Sequence, residues 1–304
     1  MHYMRSDPAR ARQLDAATQA ISEGDAPVKA FEKSTGLTMA ELTFALKQYR
    51  KLPVTTMTLN ALETPAMSVT PLPPSADDLF IDNLHLIMAP TGNLDPELLQ
   101  NIRRKAAKYP GDALAERVLA RAEFVMGDGA AGEAIMTRRL AAKADDKEDL
   151  LLAGTGQIMI GMRDATQQDA RYKAARAGLG KAYQLDKTDF RTLYAYALSR
   201  SIEPKFPTDN DLTVLLEARA LAPSVTELSA RAGFALLSRG RREEAARMLA
   251  VVINNPHGGQ AAEQARRALN QGQIGKVDIE PFTGEDEPAT APEPGKPKPL
   301  TRAR

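Results

Sequence analysis

Hydrophobic positions recur at helical spacing along most of the chain, and short polar turns interrupt them. From Asp77 to Leu269 the apolar residues return every three or four positions, which predicts helices nearly throughout. A representative stretch is "SRGRREEAARMLAVVINNP", residues 238–256, in which a glycine turn leads into Glu-Glu-Ala, an apolar helical face and a proline. This pattern predicts an all-α architecture.

The ends of these helices recur at a nearly constant interval. Helices that end in a short polar turn are found at Pro110, Asp146, Lys187, Pro223 and Pro256, at intervals of 36, 41, 36 and 33 residues. Helix-turn-helix repeats have a period near 34 residues. Because one helix pair cannot cover its own apolar face, such units stack, and the spacing predicts a helical-repeat array.

Small residues mark the points where the two helices of one unit should touch. In the last unit these are Gly233 and Ala245, and Gly240 forms the turn between the helices. The equivalent places in the unit after residue 110 are assigned to Ala122, Gly129 and Ala134.

Together with the repeat ends "AYQLDKTD" and "ARALAPS", these small residues make the stretch 94–270 resemble the tetratricopeptide (TPR) family. Most aromatic positions of the family hold aliphatic residues here, and the turns at 164–168 and 202–209 are longer than usual. The resemblance implies a TPR-like α-solenoid. The first helix of each pair would line a concave groove that binds extended or helical peptides.

By the same resemblance, seven residues would face this groove. They are Glu116, Leu119, Glu123, Arg191, Tyr194, Glu227 and Phe234. The alternative for each is an ordinary exposed position on a helix. For Leu119 and Phe234 a further alternative is burial against a neighbouring helix.

The chain divides into four predicted segments, namely an N-terminal helical segment at 1–51, an extended connector at 52–90, the repeats at 91–273 and a tail at 274–304. Residues 52–75 are rich in Thr, Val and Pro and predict one or two extended stretches. The tail is rich in proline and poor in apolar residues, so we expect it to be disordered.

Helix starts in the N-terminal segment are marked by caps. Asp7-Pro8 and Asp25-Ala26-Pro27 each predict a capped helix with proline in its first turn, and Gly36 ends the second helix. Thr38 and Glu41 have the spacing of a capping box before a third helix.

Composition narrows the possible functions. The 304 residues include 40 basic and 39 acidic ones, a formal net charge of +1, so no overall field draws the chain to nucleic acid. The absence of cysteine excludes disulfides and thiolate metal sites. No apolar run approaches the roughly 18 residues of a membrane helix. We expect no nucleic-acid partner and no membrane insertion.

The candidate chemical sites favour structural roles. His2, His85 and His257 lack partners at metal-ligand spacing, and a lone general base is the alternative. The cluster Arg239, Arg241 and Arg242 could contact phosphate, but Glu243 and Glu244 offset its charge. We expect no metal, no cofactor and no catalytic residue.

A glycine-rich stretch, "AGTGQIMIG" at 153–161, superficially suggests a phosphate loop. It lacks the spacing and the lysine of a P-loop, and no strand precedes it. Gly154 and Gly156 are interpreted as positions of close helix packing.

A second resemblance concerns the first 90 residues. The stretch from "HYMRSDPARARQLDAATQAISEGDAP" to "KLPVTTMTL" looks like a segment of bacterial TPR proteins of unknown function, where it follows a gluzincin-type metallopeptidase-like domain. The His-Glu-x-x-His motif of such a domain is absent here. This resemblance implies that the chain is the C-terminal portion of a longer ancestor, or that its start codon is misplaced.

Two functions follow as expectations. The first is a non-enzymatic helical-repeat scaffold that binds a protein or peptide. The alternative is a non-catalytic accessory region of a metallopeptidase-like protein whose catalytic domain lies outside the chain. The compartment depends on the start of the gene: cytoplasmic if Met1 is the true start, and periplasmic or secreted if an upstream signal precedes it.

Overall fold

The computed structural model describes residues 2–51, 68–88, 94–255 and 257–271, and every regular element in these ranges is an α-helix. The N-terminal segment holds α1 (His2–Arg5), α2 (Pro8–Ser22), α3 (Pro27–Thr35) and α4 (Met39–Tyr49). The remaining helices are α5 (Ala76–Met88), α6 (Pro96–Ala106), α7 (Ala113–Met126), α8 (Gly129–Ala142), α9 (Lys147–Arg163), α10 (Gln168–Leu185), α11 (Phe190–Arg200), α12 (Asp209–Leu221), α13 (Thr226–Ser238), α14 (Arg242–Ile253) and α15 (Gly259–Gln271). The expected all-α fold is confirmed.

Helices α5 to α14 form five successive pairs, and α15 packs on the last pair. Within each pair the two helices contact each other, and each second helix contacts the first helix of the next pair. First helices also contact one another across pairs: α5 packs on α7, α7 on α9, and α9 on α11. This regular stacking is the helical-repeat array that the helix-end spacing predicts.

Aspartate caps begin the first helix of three successive pairs. Asp112, Asp146 and Asp189 each accept hydrogen bonds from backbone amides in the first turn of α7, α9 and α11. These amides have no acceptor inside the helix, so each cap provides a hydrogen bond that they would otherwise lack. The polar turns that punctuate the sequence are therefore helix starts as well as helix ends.

The N-terminal caps are confirmed in two cases and wrong in one. Asp7 caps α2, and Thr38 and Glu41 form the predicted capping box of α4. Asp25 does not cap α3, whose N-cap residue is Ala26 with no side-chain hydrogen bond. Pro27 in the first turn fixes the backbone there without a side-chain cap.

The helix crossing predicted for the last repeat is confirmed. A Cβ atom on Gly233 would lie 2.5 Å from Leu249 Cγ, so α13 and α14 approach each other at this glycine. Ala245 is fully buried beside it.

The small-residue assignment in the α7–α8 pair is wrong. Its crossing lies at Gly132, where a Cβ would come 3.0 Å from the backbone oxygen of Ala120. Gly129 faces Ile160 of the next pair instead, and Ala134 is exposed. The cause is the choice of turn glycine: Gly127, not Gly129, lies between α7 and α8 as Gly240 lies between α13 and α14, so the assignment is two residues too late.

A buried ion-pair network joins α7, α8 and α9. Asp149 on α9 is fully buried and pairs with Arg117 Nε of α7 at 2.6 Å and with Arg139 Nη2 of α8 at 2.9 Å. Arg139 also pairs with Glu116 of α7 at 2.8 Å. Breaking one partner of such a network leaves a buried charge uncompensated.

A second polar contact links the ends of neighbouring helices. Lys147 Nζ donates to Asp186 Oδ2 at 2.5 Å. This hydrogen bond, with those from Thr188, holds the pKa of the Asp186 carboxyl far below its usual range.

The prediction of an extended connector over 52–90 is wrong for Ala76–Met88, which is α5. Ser75, just before this helix, is fully buried and its hydroxyl donates to Asp112 Oδ1 of α7 at 2.6 Å. A tertiary contact therefore anchors this helix start, and the helical periodicity that begins at Asp77 covers the helix itself. Residues 52–67 and the predicted tail 274–304 lie outside the described residues, and the four segment boundaries stay predictions.

The N-terminal segment touches the array near its C-terminal end. Asn254 Nδ2 donates to the backbone oxygen of Gly24 at 2.6 Å. Gly24 has a φ of +105°, and a Cβ there would lie 2.6 Å from Ala250 Cβ. Glycine is needed here both for the backbone conformation and for the close approach.

Candidate binding groove

A cavity of about 360 Å³ opens on the side of the array formed by the first helices of the pairs. Helix α5 contributes Ile87 and α7 contributes Arg121 to its lining. Helix α9 contributes the largest share, namely Glu148, Leu151, Leu152, Thr155, Ile158, Met159 and Met162. Helix α11 adds Phe190, Arg191, Tyr194, Ala195 and Leu198. The cavity is within the usual size range of ligand pockets, about 300–1,000 Å³.

The apolar floor of the cavity depends on how closely α9 is held by its neighbours. A Cβ on Gly156 would lie 2.4 Å from two ring carbons of Phe124 on α7, and one on Gly154 would lie 2.7 Å from Leu179 Cγ on α10. At 100° per residue the two glycines flank the face of α9 that carries Thr155. The interpretation of this stretch as helix packing is confirmed.

One charged pair crosses the groove between α9 and α11. Arg191 Nη2 lies 2.6 Å from Glu148 Oε1 and 2.7 Å from Asp189 Oδ2. The hydrogen bond to Asp189, followed by that to Glu148, raises the pKa of the Arg191 guanidinium above its ordinary value despite partial burial. The Arg191 guanidinium is thus paired with two carboxylates.

Arg121 differs from the other charged residues of the lining. Its Nε donates to Asn83 Oδ1 at 3.2 Å, and among the described residues no carboxylate pairs with it. Burial lowers the pKa of the Arg121 guanidinium, and Glu148 at longer range opposes that shift. The groove therefore contains a partly desolvated cation that no described side chain neutralises.

Tyr194 connects the groove to the next repeat. Its hydroxyl donates to Glu227 Oε1 of α13, which also accepts from Arg231 Nη2 at 3.3 Å. Burial and the Glu227 carboxylate raise the pKa of the Tyr194 phenol. The hydroxyl is held as a neutral donor and fixes the position of the ring at the cavity wall.

The seven predicted groove residues have different positions in the structure. Arg191 and Tyr194 line the cavity, and Glu227 contacts Tyr194 from the neighbouring helix. Binding of a partner at any of the seven stays a prediction.

The other four lie outside the cavity lining. Glu116 pairs with Arg138 and Arg139, and buried Glu123 pairs with Arg103 of α6 at 2.7 Å. Leu119 packs on the core of the first two pairs, and Phe234 packs on the core between α14 and α15. Burial against a neighbour, the stated alternative for these two apolar residues, describes their positions in the structure.

The register error explains why Arg121 was missed. The crossing lies at Ala120, two residues before the Ala122 used to transfer the family's pattern. The groove position predicted at Glu123, when shifted by the same two residues, falls on Arg121, which does line the cavity. The sequence signal that could have found it is Gly127, which lies between α7 and α8 as Gly240 lies between α13 and α14.

The remaining candidates are occupied by internal contacts or are exposed. Arg241 pairs with Glu244 at 2.7 Å, Arg239 pairs with Asp209, and Arg242 donates to the backbone of Leu269. The Tyr49 hydroxyl shares a 2.6 Å hydrogen bond with His2, whereas His85 and His257 occupy exposed positions.

The described residues provide neither a metal site nor a membrane-spanning helix. In those ranges no group of three or more His, Cys, Asp or Glu side chains could hold a metal ion. No helix there combines the length and apolar character needed to cross a membrane.

No protein-family model and no curated protein matches the chain significantly. Among solved structures, a thermophilic TPR protein of Thermus thermophilus is similar, with a TM-score of 0.54 and 16% sequence identity over 64% of this chain and 99% of that one. A double mutant of MamA RS-1 gives a TM-score of 0.42 and 14% identity over 64% and 95% of the two chains.

The chain has a TPR-like helical-repeat fold. The structural similarity to the Thermus thermophilus protein supports this assignment. At 16% sequence identity this similarity shows the fold alone. The resemblance of residues 2–90 to a segment that follows a metallopeptidase-like domain is not tested by these comparisons and stays a prediction.

Proposed function

We propose that the chain is a non-enzymatic scaffold that holds a peptide segment of a partner protein in the groove between α5, α7, α9 and α11. The composition of the cavity supports this proposal, because most of its lining residues are apolar and three of them, Arg121, Glu148 and Arg191, are charged. Pockets of this composition gain affinity from apolar burial and specificity from a few placed polar groups.

The stacking of the first helices favours a peptide over a compact small molecule. Four consecutive first helices contribute to one continuous lining, so the site extends along the array. Extended and helical peptides bind such grooves by placing side chains at regular intervals into apolar sites.

The chemistry of the lining supports a binding role. The Thr155 hydroxyl donates to the backbone oxygen of Leu151 at 2.9 Å, and the Tyr194 hydroxyl is held by Glu227. Among the described residues that line the cavity there is no histidine, cysteine or aspartate, so no nucleophile and base of these types stand together in this part of the structure.

The test is a peptide selection followed by a blocking variant. A phage-displayed library of random dodecapeptides is panned on the chain, and the recovered peptides are labelled with fluorescein for fluorescence polarisation. Thr155→Trp fills the cavity from α9 and should abolish binding, because the indole occupies the space of the ligand.

Thr213→Trp is the matched control. Thr213 is exposed on α12, away from the cavity, and its hydroxyl donates to the backbone four residues earlier, as that of Thr155 does. This variant should bind as the wild type does. If both tryptophan variants retain full affinity for every recovered peptide, the groove is not the binding site and the proposal is wrong.

A further inference from the structure

One cation of the groove has no direct ion-pair partner. Arg121, Arg191 and Glu148 are the charged residues of its described lining. Arg191 pairs with Glu148 at 2.6 Å and with Asp189 at 2.7 Å, whereas no described carboxylate forms an ion pair with Arg121. A partly desolvated cation in apolar surroundings is unfavourable unless an anion or hydrogen-bond acceptor is supplied.

The guanidinium of Arg121 is also held in place. Asn83 of α5 accepts from Nε, and no described residue accepts from the two terminal nitrogens. Those terminal nitrogens are parallel donors, a geometry that matches the two oxygens of one carboxylate.

We propose that the groove selects peptides that present an aspartate or glutamate side chain to Arg121, next to apolar side chains that fill the floor. This inference rests on the proposed function, since it names the class of peptide bound at the same site. Charge complementarity supports it: the lining charge without a direct ion-pair partner among the described residues is positive, and the rest of the wall is mostly apolar.

The groove's own carboxylate does not satisfy Arg121. Glu148 is engaged by Arg191, which donates through both Nη1 and Nη2 to the Glu148 oxygens at 3.2 and 2.6 Å. A ligand carboxylate would therefore bind Arg121 without displacing an internal ion pair, whereas a ligand ammonium would meet the same uncompensated positive charge.

The experiment compares each selected peptide with its amide version, in which Asp is replaced by Asn or Glu by Gln. Dissociation constants are measured by fluorescence polarisation with the wild type, Arg121→Gln and Arg104→Gln. Arg104 is exposed on α6 and outside the cavity lining, so its variant makes the same change of charge elsewhere. Because the peptide is changed rather than the protein, the wild-type comparison does not depend on whether a variant folds.

The amide version should bind the wild type and Arg104→Gln about tenfold more weakly or worse than the acidic version, as expected for the loss of one charge-assisted hydrogen-bonded pair. With Arg121→Gln the two versions should bind alike. Far-UV circular dichroism should show that this variant keeps the helical fold.

Two results would overturn the inference and leave the proposed function intact. The first is a set of peptides that Thr155→Trp blocks but that carry no acidic residue. The second is an equal loss on amidation in the wild type and in Arg121→Gln, which would place carboxylate recognition elsewhere. If no peptide is blocked by Thr155→Trp, the proposed function fails, and this inference fails with it.

Discussion

Gly233→Ala should destabilise the chain even though alanine is the better helix former. A Cβ at this position inside α13 would lie 2.5 Å from Leu249 Cγ and 2.6 Å from its Cδ2. Carbon atoms in contact normally lie about 3.5–4.0 Å apart. Leu249 is fully buried, so it can move away only by disturbing the core between α14 and α15.

The magnitude is the difference between two opposing effects. Overpacking of a core typically costs about 1–3 kcal/mol. Replacing glycine by alanine inside a helix contributes about 1 kcal/mol in the other direction. The free energy of unfolding should therefore fall by about 1 kcal/mol.

Gly180→Ala is the matched control. Gly180 is also inside a helix, α10, but no heavy atom of a neighbour lies within 4 Å of its ideal Cβ position among the described residues. This variant therefore has the gain in helix propensity without the clash, and it should stabilise the chain by about 0.5–1 kcal/mol.

Urea denaturation followed by far-UV circular dichroism measures both variants, and the two changes should have opposite signs. Leu249→Ala alone should cost about 2–5 kcal/mol. In the Leu249→Ala background Gly233→Ala should become stabilising, because the leucine side chain with which the new Cβ atom would collide has been removed. Equal gains from Gly233→Ala and Gly180→Ala in the wild-type background would refute the close approach of α13 and α14.

Two further predictions concern charged groups. Asp149→Ala should lower the free energy of unfolding by about 3–5 kcal/mol, because Arg117 and Arg139 lose their buried partner, whereas Asp145→Ala at an exposed position should change little in the same urea titration. The pKa of Asp186 is lowered in the folded chain, so its contribution is complete above the unfolded value of about 4 and is lost as the pH falls further. Melting temperatures should drop between about pH 5 and pH 2, and the drop should be smaller in Asp186→Asn; an identical drop in both proteins would contradict this assignment.

Local patterns were sufficient to predict helices along most of the chain, two capped helix starts in the N-terminal segment and the stacked architecture. Caps such as Thr38 with Glu41 involve residues three positions apart, and apolar periodicity describes one helix at a time. Helix α5 lies within the helical periodicity that begins at Asp77, although the predicted connector 52–90 includes it. Its start follows Ser75, whose hydrogen bond to Asp112 joins another helix and cannot be deduced from a local pattern.

The groove was harder to predict than the fold because a small register error changes which side chain faces it. Two residues correspond to about 200° around a helix, which exchanges a groove position for a buried one. Glu123 and Arg121 illustrate this: one is buried with Arg103, and the other lines the cavity. The later pair, where the register was right, placed Arg191 and Tyr194 at the cavity wall.

The depth of the groove follows from the glycines of α9. Phe124 reaches α9 at Gly156 and Leu179 reaches it at Gly154, at distances where a side chain would collide. Both contacts flank the lining face, so they draw α7 and α10 toward the helix while leaving Thr155 and its neighbours open to the cavity. A Cβ at Gly156 would push α7 away and carry Arg121 with it, which couples the packing of this helix to the cation of the site. The stretch 153–161, which superficially suggests a phosphate loop, thus has a positioning role. Its glycines set the distance between the apolar lining of α9 and Arg121 of α7, the proposed partner of a ligand carboxylate.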